Sequence, residues 1–459
     1  MGIFEESRCI TLQMHGIEFN HLDRKSRYQQ VISVLNSSDP SRSFPNLFKD
    51  QHQLKGLYRL LNNKSVSHSK FISGYQAGLV QYSKEQDKST PWILVQDTML
   101  TDYHSRKVLD LGYTQTEHSN GFLLHHGLLL DAEAIPLGLL HQQVIHRERE
   151  KYKQARAPED KESKKWINAI TTGVEFSKQT GRSLIHLMDR EADIADIINA
   201  ANSHDGQYFI IRAAQNRILT NAEGKLSAEK LFTFMPSLHT GDIIERRLID
   251  EKGKSYQANC TISHGEIHIK GVDKSVRCVW VKELQQEQAA DRKEPAEWFL
   301  LTNLPADDYT HEVIAGYYSK RWVIEDFHKC YKTGCSIEKR QFDSRETLTN
   351  GIGLLALTAV VLLRSRYFAQ NDHDAPFETI VTDAREQLLA KKIAGKYLKP
   401  IDATIAKPYT ALWWLLLMGR MGGHQGFKQK GLPGWQTLWK GYSFFQSLML
   451  GFSHADNAP

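Results

Sequence analysis

The chain is expected to fold as a mixed α/β protein with helical segments at both ends, and three observations carry that expectation. Between Trp92 and Ala214, short apolar runs bounded by turn residues alternate with a helical pattern. From Gln215 to Asn303 helical periodicity largely vanishes and alternating, strand-like segments replace it. Before residue 75 and after about 345 the pattern is helical.

In chain order, residues 1–75 read as short helices. Arg24, Lys25 and Arg27 open one, and LKGLYRLLNN places Leu54, Leu57, Tyr58 and Leu61 at helical spacing. Arg42, Lys49, Lys55, Arg59 and Lys64 recur among few acids, so this is either a small bundle with a solvated surface or a DNA-contacting module. WILVQDT (Trp92–Thr98) reads as a strand ending in an acid. GFLLHHGLLLD and IPLGLLHQQVI follow as an antiparallel pair. The charged stretch His146–Lys165 is most simply a solvated linker, leading into a helix through about Ser177. SLIHLMDREADI is a strand ending in Asp189 that runs into a helix, and QYFIIRAA is a further strand. Together these make a mixed sheet. Beyond it, DIIERRLID, QANCTISHGEIHIKG, RCVWVKEL and EWFLLTN alternate as strands, with turn signals at Gly253 and His264–Gly265. The helical remainder is interrupted by a Gly/Lys-rich loop whose His424, Lys428 and Lys430 could touch DNA or simply be solvated.

Composition narrows the class. A 41% hydrophobic and 10% aromatic content over 459 residues supports a large core and excludes wholesale disorder. The net charge of +5 admits a polyanionic partner without requiring one. Five scattered cysteines, with no Cys-x-x-Cys pair, argue against a disulfide framework or zinc site and for a reduced, cytoplasmic setting. Glu5 and Glu6, with no long apolar run, do not make a signal peptide. Leu354–Leu363 and Ala411–Met418 are too short to span a bilayer and read as buried helices, so no membrane partner is expected.

The stretch YYSKRWVIEDFHKCYKTG (Tyr317–Gly334) reads either as a substrate-facing helix edge or as an ordinary solvated one. As one helix, at roughly 100° per residue, it sets Tyr318, Arg321, Glu325, Lys329 and Lys332 within an arc of about 80°. Val323, Ile324, Phe327, Cys330 and Tyr331 fall on the far side. The plain alternative is a solvated face with Arg321–Glu325 and Glu325–Lys329 ion pairs. Asp97 and Asp189 lie 92 positions apart, each at the C-terminal end of an expected strand, where α/β sheets put their chemistry. Singly, each could be a turn or helix cap. Three carboxylates without His or Cys suit a hard cation, Mg²⁺ or Mn²⁺. Basic neighbours make sense where the substrate brings phosphates.

The spaced set Tyr318, Arg321, Glu325, Lys332 resembles the signature of the bacterial cut-and-paste DDE transposases of insertion-sequence family four. DREADI, QDT, KESKKW, EWFLLTN, PGWQTLWKGY and LKGLYRLLNN resemble further family segments in the expected order. The resemblance implies a ribonuclease-H-like mixed-sheet core at 76–365 with a β-strand insertion at about 215–303. It also implies a helical DNA-binding domain at 1–75 and a helical dimerisation domain at 366–459. It makes Asp97, Asp189 and Glu325 the catalytic metal ligands, for Mg²⁺ with Mn²⁺ as substitute, two ions to a site. Tyr318, Arg321 and Lys332 would hold phosphates near a flipped base, and Trp298 would fill the gap that base leaves; plain packing is the alternative for Trp298. Arg212, Arg190, Arg27 and Arg59 would touch DNA. Where the family often has another basic residue this chain has Val323, so that phosphate contact is missing or supplied by Lys329. The implied partners are transposon ends, a target duplex and a second copy of the chain when ends are bound. A catalytically silent DNA-binding repressor, and a nuclease without strand transfer, are the competing readings.

Overall fold

The computed structural model describes residues 8–36, 40–48, 50–103, 109–152, 161–238, 242–249, 255–284, 294–371, 373–381, 384–426 and 432–455. Part of the expected 146–165 linker, the turn signal at Gly253, and Lys428 and Lys430 lie outside them. The chain divides into two compact units: one holds Lys88–Asp97 and Ala155–Val323, the other Met1–Asp87, Thr98–Gln154 and Ile324–Pro459.

The first unit is built on a mixed sheet. The start of β1 (Trp92–Leu100) runs parallel to β4 (Leu184–Met188), and β4 parallel to β5 (Gln207–Arg212). Antiparallel pairing then carries the sheet through β11 (Glu297–Thr302), β10 (Val276–Glu283) and β9 (Ser255–Ile269). β6 (Ile218–Thr220) and β8 (Ile243–Ile249) both pair with β9, and β7 (Leu226–Lys230) with β6. Helices α6 (Lys164–Thr180), α7 (Ala195–Asn202) and α8 (Leu231–Ser237) belong to this unit. α6 stops at Gly181, whose φ of 70° is the left-handed cap that glycine adopts without strain. It packs on the sheet through Trp166, Ile170 and Val174, in one core with Met188, Ile197, Phe209, Ile211, Trp280 and Leu301. Each large side chain so buried stabilises the fold by about 1.5–3 kcal/mol relative to exposure. Three buried side chains bridge the parallel strands: Gln96 Nε2 is 2.9 Å from His186 Nδ1, and His186 Nε2 is 2.9 Å from Gln207 Oε1.

In the second unit, α1 (Arg8–His15), α2 (Leu22–Asn36), α3 (Phe44–Leu47), α4 (Gln51–Leu61) and α5 (His68–Lys84) form the N-terminal helices. The hairpin β2 (Leu123–Leu130) and β3 (Pro136–Ile145) is antiparallel, as expected, and the chain just after β1 joins it through Thr101 N–H to Phe122 O. α10 (Trp322–Lys329, here from Ile324 on), α11 (Arg345–Asn371), α12 (Ala384–Tyr397), α13 (Ala411–Met421) and α14 (Trp435–Ala455) complete it. α11 is the core helix. Its Arg345–Arg364 stretch is long and apolar enough to cross a membrane by length and composition alone, but 89% of its most apolar window is buried inside the protein. The helix is thus longer than its apolar run suggests, and it is buried as expected.

Three expectations need correction. β1 does not end at Asp97: it continues to Leu100. His264–Gly265 is not a turn but the middle of β9, paired with Val279 and Cys278 of β10. Glycine is there for closeness, since a Cβ on Gly265 would stand 2.8 Å from Leu238 Cδ1. Finally, Tyr317–Gly334 is not one helix. α9 (His311–Ser319) ends at Lys320, where i→i+3 bonds from Lys320, Arg321 and Val323 tighten the chain. α10 then gives way to a π turn at Cys330–Gly334, closed by Cys335 N–H to Cys330 O at 2.8 Å. The uniform 100° step therefore fails at both ends of α10.

Arg420 of α13 is buried against Asp402, with two charge-assisted bonds of 2.9 and 2.7 Å. Replacing it (Arg420→Leu) strands a buried carboxylate and is expected to destabilise the protein by about 3–5 kcal/mol. Urea unfolding of the two proteins measures the difference.

Candidate active site

The register of the parallel strands builds the site. Trp92 faces Leu184, and the pairing continues step by step to Val95 opposite Leu187. The observed pairing ends there; carried two residues further, the same register would bring Asp97 level with Asp189, just past the end of β4, on the face that side chains two apart share. The 92-position spacing of these acids is thus the register offset itself. β4 ends at Met188, and Asp189 caps the tight turn Arg190–Ala192 by accepting the Glu191 N–H at 2.8 Å. The capping role considered from sequence is real, and it uses one oxygen only.

Both acids are half-buried. Burial pushes the Asp189 carboxyl above the usual carboxylate range and Glu191 adds to this, while Arg321 and Lys165 oppose it. Arg321 Nη1 stands 3.6 Å from Asp97 Oδ2, and its guanidinium lies 5.5 Å from the Trp322 ring centroid. Trp322 is 41% exposed, a large apolar surface beside the acids. Tyr318 is buried and burial pushes its hydroxyl up, against the nearby charges of Arg321, Arg212 and Arg190. Trp298 meets Tyr318 edge-on at 5.7 Å, and Arg212 donates to the Glu297 carbonyl at 2.9 Å. Arg190 is exposed.

One unit therefore gathers Asp97, Asp189, Arg321, Tyr318, Trp298, Arg212 and Arg190. Glu325, Lys329 and Lys332 belong to the other. Glu325 occupies the first turn of α10, half-buried. Lys329 pairs with Asp326 at 3.1 Å and Lys332 with Glu338 at 3.1 Å. In the N-terminal helices Arg59 is exposed at the end of α4, while the Arg27 side chain lies over Gly56, whose added Cβ would come within 3.2 Å of Arg27 Nε. Sequence reasoning missed Lys165, only 6% exposed and 3.1 Å from Glu191. A lysine on the apolar side of α6, next to Trp166, was the available signal.

Among the described residues, no group of three or more His, Cys, Asp or Glu is gathered closely enough to hold a metal ion. The Asp97–Asp189 pair nevertheless fits a hard divalent cation. Mg²⁺ typically takes one or two protein carboxylates and completes its shell with water and substrate phosphate oxygens.

Residues 146–361 match the family model described as Transposase DDE domain, and residues 9–66 match the model described as Transposase DNA-binding. The first match contains Asp189, Arg190, Arg212, Trp298, Tyr318, Arg321, Glu325, Lys329 and Lys332, with Asp97 lying ahead of it; the second contains Arg27 and Arg59. DDE domains generally use divalent metals such as Mg²⁺ to cleave DNA, and the second domain makes DNA the partner. Carrying both domains, the protein is a DDE transposase.

Proposed function

We propose that this transposase is a cut-and-paste enzyme of insertion-sequence family four, of the transposon-five type. In this reading it binds specific transposon ends, releases them by nick, hairpin and resolution, and joins them to target DNA. What supports the reading most is the parallel register of β1 and β4, which if continued would bring Asp97 and Asp189 together, with the Arg321 guanidinium 3.6 Å from Asp97. Asp97, Asp189 and, as the third carboxylate, Glu325 would hold the cations, two to a site. When bound, those ions supply activation of the attacking hydroxyl and stabilisation of the leaving oxygen in an in-line displacement.

The chain's own groups position the DNA. Arg321 can grip two phosphate oxygens at once, releasing Asp97 as it does so. Arg212, Arg190, Lys329 and Lys332 supply further positive charge along the strand. Half-buried Trp298, with the buried Tyr318 packed edge-on against it, would fill the gap a flipped base leaves and so offset the few kcal/mol that unstacking costs. Each step exchanges one phosphodiester bond for another or for water, so no external energy source is needed. A homodimer bridging two ends, with α14 at its interface, fits a reaction that must join both. The region 1–75, with Arg27 and Arg59, would read end sequence.

A duplex carrying the element's end joined to flanking DNA tests this directly. Cleavage at the junction with a hairpin product, in Mg²⁺ or Mn²⁺ but not Ca²⁺ or EDTA, is the expected result. Glu325→Ala should lower it about a thousand-fold or more, ~4 kcal/mol of barrier. Specific end binding without cleavage in any metal would instead favour a silent repressor.

Arg321→Ala should weaken end binding and reduce the slope of log affinity against log salt by about one, as loss of one phosphate contact does. Binding measured across a salt series reports this, and an unchanged slope would remove Arg321 from the contact set.

Asp189→Asn should stabilise the metal-free protein at neutral pH while abolishing cleavage. The folded state raises this carboxyl's pKa, so it holds the proton more tightly than the unfolded chain. Stability therefore falls as pH rises from the ordinary aspartate range through the raised value, and the charged form is a cost at pH 7. Thermal melting in EDTA at pH 7 checks the sign; an equal or lower midpoint for the variant contradicts it.

A further inference from the structure

A chain of buried polar side chains in the second unit is not explained by the carboxylates or by DNA contact. His126 of β2 is fully buried. Its Nδ1 lies 3.0 Å from Nε2 of His328 on α10, and its Nε2 lies 2.8 Å from the amide nitrogen of Gln142 on β3. The Gln142 amide oxygen is 2.8 Å from Nε2 of His68, the first residue of α5. The same amide nitrogen reaches the Tyr331 hydroxyl at 3.3 Å, and that hydroxyl donates to the Ile352 carbonyl of α11.

Proton counting gives this chain one direction. Tyr331 has a single hydroxyl proton, committed to Ile352, so it can only accept from Gln142. That fixes the amide with nitrogen towards Tyr331 and His126 and oxygen towards His68. His126 Nε2 must then accept, so its proton sits on Nδ1 and is donated to His328 Nε2. Burial favours the neutral His126 ring this requires, and His328, His125, His141 and His68 crowd it so closely that a charge there is disfavoured further. His328 follows Glu325 by three residues, about one turn on the same helix. Apolar packing by Ile324 and Phe327 holds α10 against its neighbours, and the bond from His126 to His328 adds a directional constraint on its rotation.

We propose that the His68–Gln142–His126–His328 chain sets the rotation of α10 and thereby aims Glu325, making His328 a positioning residue for metal binding and strand cleavage. The proposal rests on Glu325 being a metal ligand.

The test uses the full-length protein. With ¹⁵N-labelled histidine and no metal, two-bond ¹⁵N–¹H spectra should show His126 and His328 neutral with the proton on Nδ1, each assigned by its loss in His126→Asn or His328→Gln. The opposite tautomers, or charged rings, would overturn the chain. His328→Leu is then compared with His328→Gln, whose amide oxygen can still accept from His126. The leucine variant should lose about 10–100-fold in Mn²⁺ affinity by electron paramagnetic resonance and in single-turnover cleavage, the range for outer-shell partners. Its end-DNA affinity should be kept, and the glutamine variant should stay within about threefold of wild type. Equal losses in both variants, with a matching fall in melting temperature, would reduce the ring to packing and overturn the proposal. If Glu325→Ala weakens Mn²⁺ binding but His328→Leu does not, the positioning role alone fails. If Glu325→Ala leaves Mn²⁺ binding unchanged, the ligand reading of Glu325 fails and this proposal with it.

Discussion

The buried bridge Gln96–His186–Gln207 is the constraint on which the site depends. It crosses three parallel strands diagonally, two residues further along at each strand from β5 to β1, and its polarity is fixed: the Gln96 amide donates, the ring accepts and donates, and the Gln207 carbonyl accepts. Burial pushes the His186 imidazole down to about 4, so the ring stays neutral and the bridge intact at ordinary pH. A slip of one residue would break all of it and send every side chain of β1 to the other face. Asp97 would then leave Asp189's side of the sheet. Apolar packing alone specifies register less sharply, since Ile93, Leu94 and Val95 are all buried and any could replace its neighbour. The polar bridge makes the register unique, and the register makes two distant acids a pair.

Around that pair the protein accepts local cost. Asp189 is a half-buried acid whose cap uses one oxygen, and Arg321 Nη1 stands 3.6 Å from Asp97 Oδ2. Lys165 and Glu191 sit behind them as a half-buried ion pair. None of these is the arrangement a fold would choose for stability alone, where a buried charge is either removed or fully paired. The compensation lies in the core formed by α6, α7 and the long antiparallel strands, which is apolar and continuous.

Much of the fold was legible because its strands are short apolar runs between turn residues. β4, β5 and the β2–β3 hairpin fall where those runs place them, and β1 starts where its run does but continues to Leu100. Asp189 was legible as a strand-end carboxylate, whereas Asp97 lies inside a strand that runs on to Leu100, and the offset of 92 between them means nothing until the register is known. The helical arc from Tyr318 to Lys332 was misjudged for a simpler reason: a helical wheel assumes a constant turn, and this segment contains a tight junction and a wide one. His264–Gly265 looked like a turn because glycine breaks strands more often than it lets a neighbouring Leu238 close in. The histidine chain was invisible, its members lying at 68, 126, 142 and 328 with nothing local to link them.

The π turn at Cys330–Gly334 has a consequence for how this segment tolerates change in length. A π turn is an α-helix with one residue too many, and here that extra residue precedes or includes Lys332, which pairs with Glu338 rather than lining up below Glu325. A single-residue deletion at Cys330 or Tyr331 would restore ordinary helical bonding, yet it would carry the lysine about 100° around the axis. The same deletion would also pull the buried Tyr331 position out of the core. Substitutions in this stretch can be judged by size and charge, but insertions and deletions cannot: the more regular helix would lose the Lys332–Glu338 pair and the buried place of Tyr331.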